Sequence, residues 1–212
     1  EMVRPGMVVG LGSGSTSRYA TLRPAEKLRQ GTLRGIIAIP TSEDTARLAR
    51  QEGIPLTTLD EHPVVDLTID GADEVDERLD VIKGLGGCLL REKIVAYATQ
   101  HLAIVVDESK LSKRLGLKSP VPVEVIRFGW RNTEAALART GARTVLRLRD
   151  GAPYITDEGN YIVDCWYRGI EAPAELAGLL RTIPGVVEHG LFLNMVQTVF
   201  AASQRGVSRL CR

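Results

Sequence analysis

Two neighbouring segments of the chain carry the residue types that proton transfer requires. The first is Asp70-Gly71-Ala72-Asp73-Glu74, and the second is Lys83-Gly84-Leu85-Gly86-Gly87, which leads into a helical stretch containing Glu92. Each segment follows an apolar run, so acids, an ammonium group and bare backbone amides are expected at strand ends. Such groups can move protons on an anionic substrate, because carboxylates exchange protons while cations and amides stabilise negative charge.

The two aspartates of the first segment are three residues apart and come just after a predicted strand. Gly71 and Ala72, which separate them, are too small to obstruct a ligand. Two carboxylates this close can raise the pKa of one of them, which suits a group that exchanges protons near neutral pH. A magnesium site and a solvated acidic turn explain the same residues, and the motif alone does not choose between these interpretations.

The second segment combines Lys83 with a glycine run that allows close approach to the backbone. The helix that follows places Glu92 roughly one to one and a half turns inside its N-terminus. A carboxylate there can lie near the anion that it helps to create, and its attachment to the lysine and glycine loop favours a functional role. The alternative is that residues 91–93 only provide solvated charge.

Two further segments are candidates for binding a phosphate. Gly10-Leu11-Gly12-Ser13-Gly14-Ser15-Thr16 lies between the first predicted strand and helix, where amides, the helix dipole and hydroxyl groups favour an anion. Ser15 replaces the third glycine of a dinucleotide motif and no Walker lysine follows, which favours a single phosphate, although a tight turn explains the glycines equally well. Lys110, in Asp107-Glu108-Ser109-Lys110 after another strand, could reach a phosphate or belong to a polar turn.

The first 110 or so residues alternate apolar runs with helical stretches. Strands are predicted over 7–9, 36–39, 65–69 and 102–106, and helices over 15–30 (with an interruption at Pro24), 42–52 (capped by Ser42 or Thr41) and 89–100. This alternation predicts an α/β fold with a Rossmann-like, mostly parallel sheet. Ligands of such sheets bind beyond the carboxyl ends of the strands.

After Ser119-Pro120-Val121-Pro122 the rhythm of the sequence changes. Strands are predicted over 123–128, 144–148, 161–166 and 186–192, with helices over 133–139 and 173–182. The order βαββαβ is the ferredoxin-like plan. We therefore predict a Rossmann-like catalytic domain over 1–120 plus 191–212 and a smaller α+β domain over 121–190.

Composition excludes several classes of partner. The 212 residues include 27 Lys and Arg and 26 Asp and Glu, a formal charge of +1, so we expect no nucleic acid partner. No apolar run reaches the 18 or more residues of a membrane span, and the first residues carry no apolar signal core, so we expect a cytoplasmic protein without a membrane partner. The scattered Cys88, Cys165 and Cys211 predict reduced thiols, and the equally scattered histidines predict no metal.

In these motifs the chain resembles the type A family of ribose-5-phosphate isomerases. The resemblance rests on GLGSGST at 10–16, DGADE at 70–74, KGLGG with LLREK at 83–93, and DESK at 107–110, in this order and spacing. It covers nearly the whole chain. The resemblance implies reversible conversion of D-ribose 5-phosphate to D-ribulose 5-phosphate through a cis-enediolate, in the non-oxidative pentose phosphate pathway and without a metal or organic cofactor.

The resemblance also implies roles for individual residues. Glu92 is the expected general base, Asp70 with help from Asp73 is expected to assist ring opening, and Lys83 is expected to stabilise the oxyanion. The expected substrate-binding residues are Ser13, Gly14, Ser15, Thr16, Gly71, Ala72, Gly84, Leu85, Gly86 and Lys110. The family also has an N-terminal helix with a lysine near the phosphate, and the sequence begins too late to show such a helix. The expected assembly is a homo-dimer or homo-tetramer.

Two rival functions make different demands on the sequence. An effector-binding module of a sugar-responsive regulator would bind a sugar phosphate without needing Glu92, and would carry a DNA-binding domain. A nucleotide-dependent oxidoreductase would carry the GxGxxG motif and an acid after the second strand, whereas the strand at 36–39 continues into Pro40-Thr41-Ser42. Both are less consistent with the sequence than an isomerase.

Overall fold

The structure is a computed structural model that describes residues 2–212. The helices of this part of the chain are α1 (Ser15–Arg29), α2 (Glu43–Gln51), α3 (Leu89–Tyr97), α4 (Trp130–Ala138) and α5 (Pro173–Arg181). The strands are β1 (Val8–Leu11), β2 (Ile37–Pro40), β3 (Val65–Asp70), β4 (Glu74–Val75), β5 (Val81–Ile82), β6 (Thr99–Asp107), β7 (Val121–Val125), β8 (Arg143–Leu146), β9 (Leu148–Arg149), β10 (Ala152–Pro153), β11 (Tyr161–Trp166), β12 (Val186–His189), β13 (Leu191–Phe192), β14 (Thr198–Ser203) and β15 (Gly206–Cys211). A 3₁₀ turn covers Glu108–Lys110.

The chain forms two compact units. Unit 1 comprises the chain up to Gly71 together with Arg91–Glu108 and Met195–Arg212. Unit 2 comprises Ala72–Leu90 and Ser109–Asn194. The predicted domain boundaries at 120 and 190 differ from this division, because residues 72–90 and 109–120 make their contacts within unit 2.

Unit 1 is built on a six-stranded sheet in the order β15-β14-β6-β3-β1-β2. All neighbouring pairs are parallel except β14 and β15, which form an antiparallel hairpin. The mostly parallel α/β sheet predicted from the sequence is therefore confirmed. Because the strands are parallel, the chain segments that follow β1, β3 and β6 emerge at the same edge of the sheet.

The helices of unit 1 form where apolar and small residues recur at helical spacing. In α1 the buried residues Ser17, Thr21, Pro24 and Ala25 lie on one face, and Ala25 belongs to an apolar cluster with Val9 and other residues of β1 and β2. The helix continues through Pro24, where an interruption was predicted, because this residue is buried on the packed face. The Ser42 hydroxyl accepts from the Thr45 N–H at 3.1 Å and caps α2, as one of the two predicted caps.

Unit 2 contains a four-stranded antiparallel sheet in the order β12-β7-β11-β8. If β7, β8, β11 and β12 are numbered 1 to 4 along the βαββαβ segment, the order in the sheet is 4-1-3-2. The helices α4 and α5 contribute the buried residues Leu137 and Leu180 to one core with Val123 and Val163. The predicted ferredoxin-like plan is therefore present. A three-stranded sheet, β13-β5-β4, and a β9–β10 hairpin complete the strands described for this unit.

Element boundaries differ from the prediction most clearly at β7. The strand runs from Val121 to Val125, whereas 123–128 was predicted, and Phe128 is exposed. The sequence prediction started the strand after Pro122, because proline has no N–H to donate to a neighbouring strand and is unusual inside a sheet. In the structure its carbonyl still accepts from the Gly190 N–H at 2.7 Å. Within residues 2–212, no helix is long and apolar enough to cross a membrane.

Candidate active site

The residues predicted to be functional divide between the two units. In unit 1, Asp70 ends β3 and is almost completely buried, with 1% exposure. Its Oδ1 accepts from the Gly71 N–H at 2.7 Å, the Ser17 hydroxyl at 3.1 Å and the Ser13 N–H at 3.2 Å. Hydrogen bonds from three directions fix the carboxylate in one orientation, which is a requirement for a group that must meet a substrate in a defined geometry.

The Ser13 side chain is part of a buried hydroxyl cluster. Its Oγ donates to Ser42 Oγ at 2.7 Å and lies 2.8 Å from Thr41 Oγ1 and 3.2 Å from Thr45 Oγ1. Thr45 also donates to the Gly12 carbonyl at 3.1 Å. The cluster ties the loop after β1 to the start of α2. The sequence predicted Ser13 as a ligand-binding hydroxyl, but not this anchoring contact with the segment after β2.

The close approach of β1 and β3 explains Gly12. A Cβ at this position would lie 2.1 Å from Asp70 Oδ1 and 2.6 Å from Asp70 Cα. Two residues later, Gly14 occupies the N-cap of α1 with φ of 98° and provides no side chain to cap the helix. Ser15 and Thr16, the first residues of α1, are exposed. The first turn of α1 therefore presents backbone amides and hydroxyls at the carboxyl edge of the sheet.

Glu92 lies in the first turn of α3 and is 4% exposed. The helix precedes β6, which is the parallel neighbour of β3, so α3 runs antiparallel to both strands. Its first turn therefore lies toward the carboxyl edge of the sheet, as does Asp70. The two charged residues beside Glu92 are not simply solvated. Arg91 forms an ion pair with Glu43 at 2.7 Å, and Lys93 is buried with 6% exposure.

In unit 2, Asp73 Oδ2 accepts from the Leu85 N–H at 2.9 Å, which joins the two predicted segments. Burial raises the pKa of Asp73 above its ordinary value. The Leu85 hydrogen bond and the positive charges of Lys83, Lys110 and Arg147 oppose this rise. The principal cause is therefore desolvation rather than a second carboxylate, which differs from the mechanism that the sequence suggested.

Lys83 is buried with 2% exposure, which is unusual for a lysine. The backbone N–H of Lys83 donates to the Gly190 carbonyl at 2.9 Å, and the side-chain Nζ lies 5.6 Å from the ring centroid of Phe192. The aromatic face stabilises the ammonium group through a cation–π interaction. These contacts hold the lysine at the start of the glycine run.

Two buried ionic groups that the sequence did not single out shape the loops of unit 2. Glu74 is completely buried, and its carboxylate accepts from the backbone N–H groups of four successive residues, 116–119, at 3.0 to 3.3 Å. Lys118 Nζ in turn donates to the carbonyls of Ser109 at 2.7 Å and Leu111 at 2.5 Å. These carbonyls flank Lys110, so Glu74 and Lys118 fix the backbone on both sides of a predicted phosphate-binding residue.

The second group is the pair formed by Arg147 and Asp164. Arg147 Nε donates to Asp164 Oδ2 at 2.9 Å, and its Nη2 donates to the other carboxylate oxygen. The Nη1 of the same guanidinium donates to the carbonyls of Gly84 at 2.8 Å and Leu85 at 2.9 Å. No local signal revealed this contact, because Arg147 lies more than 60 positions after the glycine run.

The magnesium interpretation of the aspartates receives no support from side-chain grouping. Among residues 2–212, no set of three or more His, Cys, Asp or Glu side chains is placed to hold a metal ion. Asp70 and Asp73 are instead each held by amide donors of their own unit. The arrangement can orient carboxylates, carry a buried ammonium group and present amides to an anion.

Comparisons with known proteins give a consistent result. Residues 37–206 match the family described as ribose 5-phosphate isomerase A, or phosphoriboisomerase A. Ribose-5-phosphate isomerase A of Chloroflexus aurantiacus is 54% identical over 210 residues, covering 99% of this chain and 88% of that protein. The solved ribose 5-phosphate isomerase of Plasmodium falciparum is 41% identical with a TM-score of 0.97, covering 100% of this chain and 93% of that one.

A further solved structure is a D-ribose-5-phosphate isomerase in complex with phospho-erythronic acid. It is 39% identical to this chain with a TM-score of 0.97, and the match covers 100% of this chain and 93% of that one. The α/β fold thus corresponds to that of solved sugar phosphate isomerases. This chain belongs to the ribose 5-phosphate isomerase A family.

Proposed function

We propose that this chain interconverts D-ribose 5-phosphate and D-ribulose 5-phosphate. The observation that carries the proposal is 54% identity to a ribose-5-phosphate isomerase A over 99% of the chain. The complex of a related isomerase with phospho-erythronic acid supports the same substrate class. That compound is a four-carbon sugar acid phosphate whose carboxylate resembles the two oxygens of an enediolate.

The proposed reaction transfers one proton between adjacent carbons. Glu92 removes the proton from C2 of the open-chain aldehyde. The electrons of the C2–H bond form the C1–C2 double bond of a cis-enediolate, while the π electrons of the C1 carbonyl move to O1. The same carboxyl group returns the proton to C1, while C2–O2 becomes the carbonyl and a hydroxyl proton passes from O2 to O1. The burial of Glu92 supports this role, because a carboxylate shielded from bulk water exchanges its proton with the substrate.

Asp70, helped by Asp73, is proposed to assist opening of the furanose ring, since only the linear aldehyde has an acidic C2 proton. The three hydrogen bonds that Asp70 Oδ1 accepts support a fixed orientation for this step. The pKa of Asp73 is raised by burial, which supports proton exchange closer to neutral pH than for an ordinary aspartate.

The remaining groups are proposed to bind the substrate and stabilise charge. Lys83, buried beside Phe192, would stabilise the developing oxyanion. The phosphate would bind the loop after β1, where the Ser13 contacts support a rigid cradle. Lys110 is a further proposed substrate contact. The other proposed substrate contacts are Gly14, Ser15, Thr16, Gly71, Ala72, Gly84, Leu85 and Gly86.

The experiment that tests this proposal follows ribulose 5-phosphate formation for the parent, Glu92→Gln and Glu43→Gln. Glu92→Gln should lower kcat by about 10² to 10⁴, the contribution of a general base. Glu43→Gln is the matched control, because Glu43 is an exposed acid that pairs with the neighbouring Arg91. The parent should retain its rate in the presence of a chelator.

Three results would contradict the proposal. Glu92→Gln turning over as fast as the parent would exclude this carboxylate as the base. Loss of parent activity on chelation would favour the magnesium interpretation. Saturable binding of ribose 5-phosphate without turnover would favour the effector-binding module.

We also propose that the protein works in the cytoplasm as a homo-dimer or homo-tetramer. The resemblance to the family supports the assembly, and the formal charge of +1 offers no basic surface for nucleic acid. Light scattering coupled to gel filtration tests the assembly, and a monomer at micromolar concentration would contradict it. Cell fractionation tests the location.

A further inference from the structure

One peptide group of unit 2 is held from both ends. The carbonyl of the peptide between Gly84 and Leu85 accepts from Arg147 Nη1 at 2.8 Å, and the N–H of the same peptide donates to Asp73 Oδ2 at 2.9 Å. The carbonyl and the N–H of a trans peptide point in opposite directions. Rotation of this peptide would therefore break both hydrogen bonds.

The guanidinium that holds this peptide is itself anchored to the ferredoxin-like sheet. Arg147 follows β8, and its fork engages both carboxylate oxygens of Asp164 on β11. The side chains of the pair are only 12% and 15% exposed. Partial burial and bidentate geometry make this pair much stronger than an ordinary surface ion pair. The third nitrogen then reaches Gly84 and Leu85 from a fixed position.

We propose that Arg147 is a positioning residue of the isomerase reaction, which acts by holding the Gly84–Leu85 peptide so that its N–H meets Asp73. This inference rests on the proposed function, in which the glycine run contacts the substrate and Asp73 assists ring opening. Arg147 need not touch the substrate. Asp164 has the supporting role of fixing the guanidinium.

The electrostatic surroundings of Asp73 give this role a second consequence. Asp73 faces the positive charges of Lys83, Lys110 and Arg147, and the Leu85 hydrogen bond also favours its ionised form. Replacement of Arg147 by a neutral residue removes one charge and loosens this hydrogen bond. Both changes shift the pKa of Asp73 further upward, so the acid limb of the kcat/KM profile should move to higher pH.

The experiment compares Arg147→Met, Arg147→Lys and the control Arg143→Met. Arg143 begins β8, the strand that Arg147 follows, but its guanidinium lies 5.5 Å from the ring centroid of Trp166. Arg147→Met should lower kcat/KM by about 10- to 100-fold, the cost of misplacing reacting groups by up to 1 Å. Arg147→Lys, which keeps a positive charge and donors for the carbonyls, should recover part of this loss, and Arg143→Met should match the parent.

A readout that does not depend on activity is hydrogen exchange of the Leu85 amide, followed by NMR. Arg147→Met should speed this exchange at least about tenfold, because the peptide loses the hydrogen bond that fixes its orientation. Arg143→Met should leave it unchanged. The double variant Arg147→Met with Asp164→Asn serves if the single variant is poorly folded, since it leaves no buried carboxylate without its partner.

The outcomes separate this inference from the proposed function. Parent-like kcat/KM and an unshifted acid limb in Arg147→Met would overturn the positioning role. So would equal losses in Arg147→Met and Arg143→Met, or unchanged Leu85 exchange in a folded variant. A parent protein without isomerase activity would refute the proposed function, and faster Leu85 exchange in Arg147→Met would then still support the structural half of the inference.

Discussion

The contact between Gly12 and Asp70 gives a prediction whose size follows from distances. In Gly12→Ala, the new Cβ would lie 2.1 Å from Oδ1, 2.3 Å from Cγ and 2.6 Å from Cα of Asp70. A change of side-chain rotamer can move Oδ1, but the Cα belongs to the backbone. Because carbon atoms make ordinary contacts from about 3.5 Å, the ends of β1 and β3 must separate by about 1 Å.

This separation has an estimable cost. Overpacking of this kind costs about 1 to 3 kcal/mol. The hydrogen bonds from the Gly12 N–H to the Ile69 carbonyl, at 3.0 Å, and from the Ser13 N–H to Asp70 are weakened as well, at about 1 kcal/mol each. We expect a loss of roughly 3 kcal/mol, which is about 6 to 12 °C in Tm for a chain of this size. Displacement of Asp70 by about 1 Å should also lower kcat/KM by about 10².

The assay is thermal unfolding followed by circular dichroism, together with isomerase kinetics on the folded protein. Gly86→Ala is the matched control for stability, because a Cβ at Gly86 would meet no heavy atom within 4 Å. Its Tm should lie within about 2 °C of the parent value, as for other substitutions without a clash. Equal unfolding temperatures for Gly12→Ala and Gly86→Ala would refute the reasoning.

Three other measurements test separate parts of the structure. Burial raises the pKa of Glu124 in the folded state, so ionisation of this carboxyl group lowers the free energy of unfolding as the pH rises. Urea unfolding at about pH 5 and pH 8 tests this: Glu124→Gln should lose less stability than the parent between the two pH values. Burial raises the pKa of the Cys165 thiol to about 12, whereas Cys211 is exposed. An aromatic disulfide reagent near pH 8 should therefore modify Cys211 well before Cys165, and equal rates of modification would contradict the burial of Cys165. Glu74→Gln should lower the free energy of unfolding by about 3 kcal/mol, because an amide cannot accept from four N–H groups as a carboxylate does. A change below about 1 kcal/mol would argue against the hydrogen bonds between Glu74 and the backbone of residues 116–119.

The sequence predicted those features that depend on local pattern. Alternating apolar runs and helical stretches gave the mostly parallel sheet, and the βαββαβ order gave the second sheet. β11 was predicted at its observed bounds, Tyr161–Trp166, because a β-branched and aromatic run has few alternatives. Two predictions that involved proline were wrong, since tertiary packing overrode a local preference. The helix α1 has nearly its predicted bounds but is not interrupted at Pro24. The strand β7 begins before Pro122, whereas a start at residue 123 was predicted.

The sequence singled out candidate site residues but not the contacts that support them. The glycine- and acid-containing motifs pointed to Asp70, Asp73, Lys83 and Glu92, whose roles stay predictions. Glu74 was assigned to a solvated acidic turn as one alternative, whereas it is fully buried among amides more than 40 positions away. Contacts over such distances along the chain depend on the folded path of the backbone, and a single sequence carries no periodic signal for them.

The division of the chain into units has a consequence for biosynthesis. Unit 1 is interrupted twice, by Ala72–Leu90 and by Ser109–Asn194, and its strand β14 pairs with β6 across the second interruption. During translation, β6 leaves the ribosome almost a hundred residues before β14 can cover its edge. The ferredoxin-like segment, whose strands and helices are contiguous, can therefore mature first, while the parallel sheet remains open to chaperones until the final hairpin emerges.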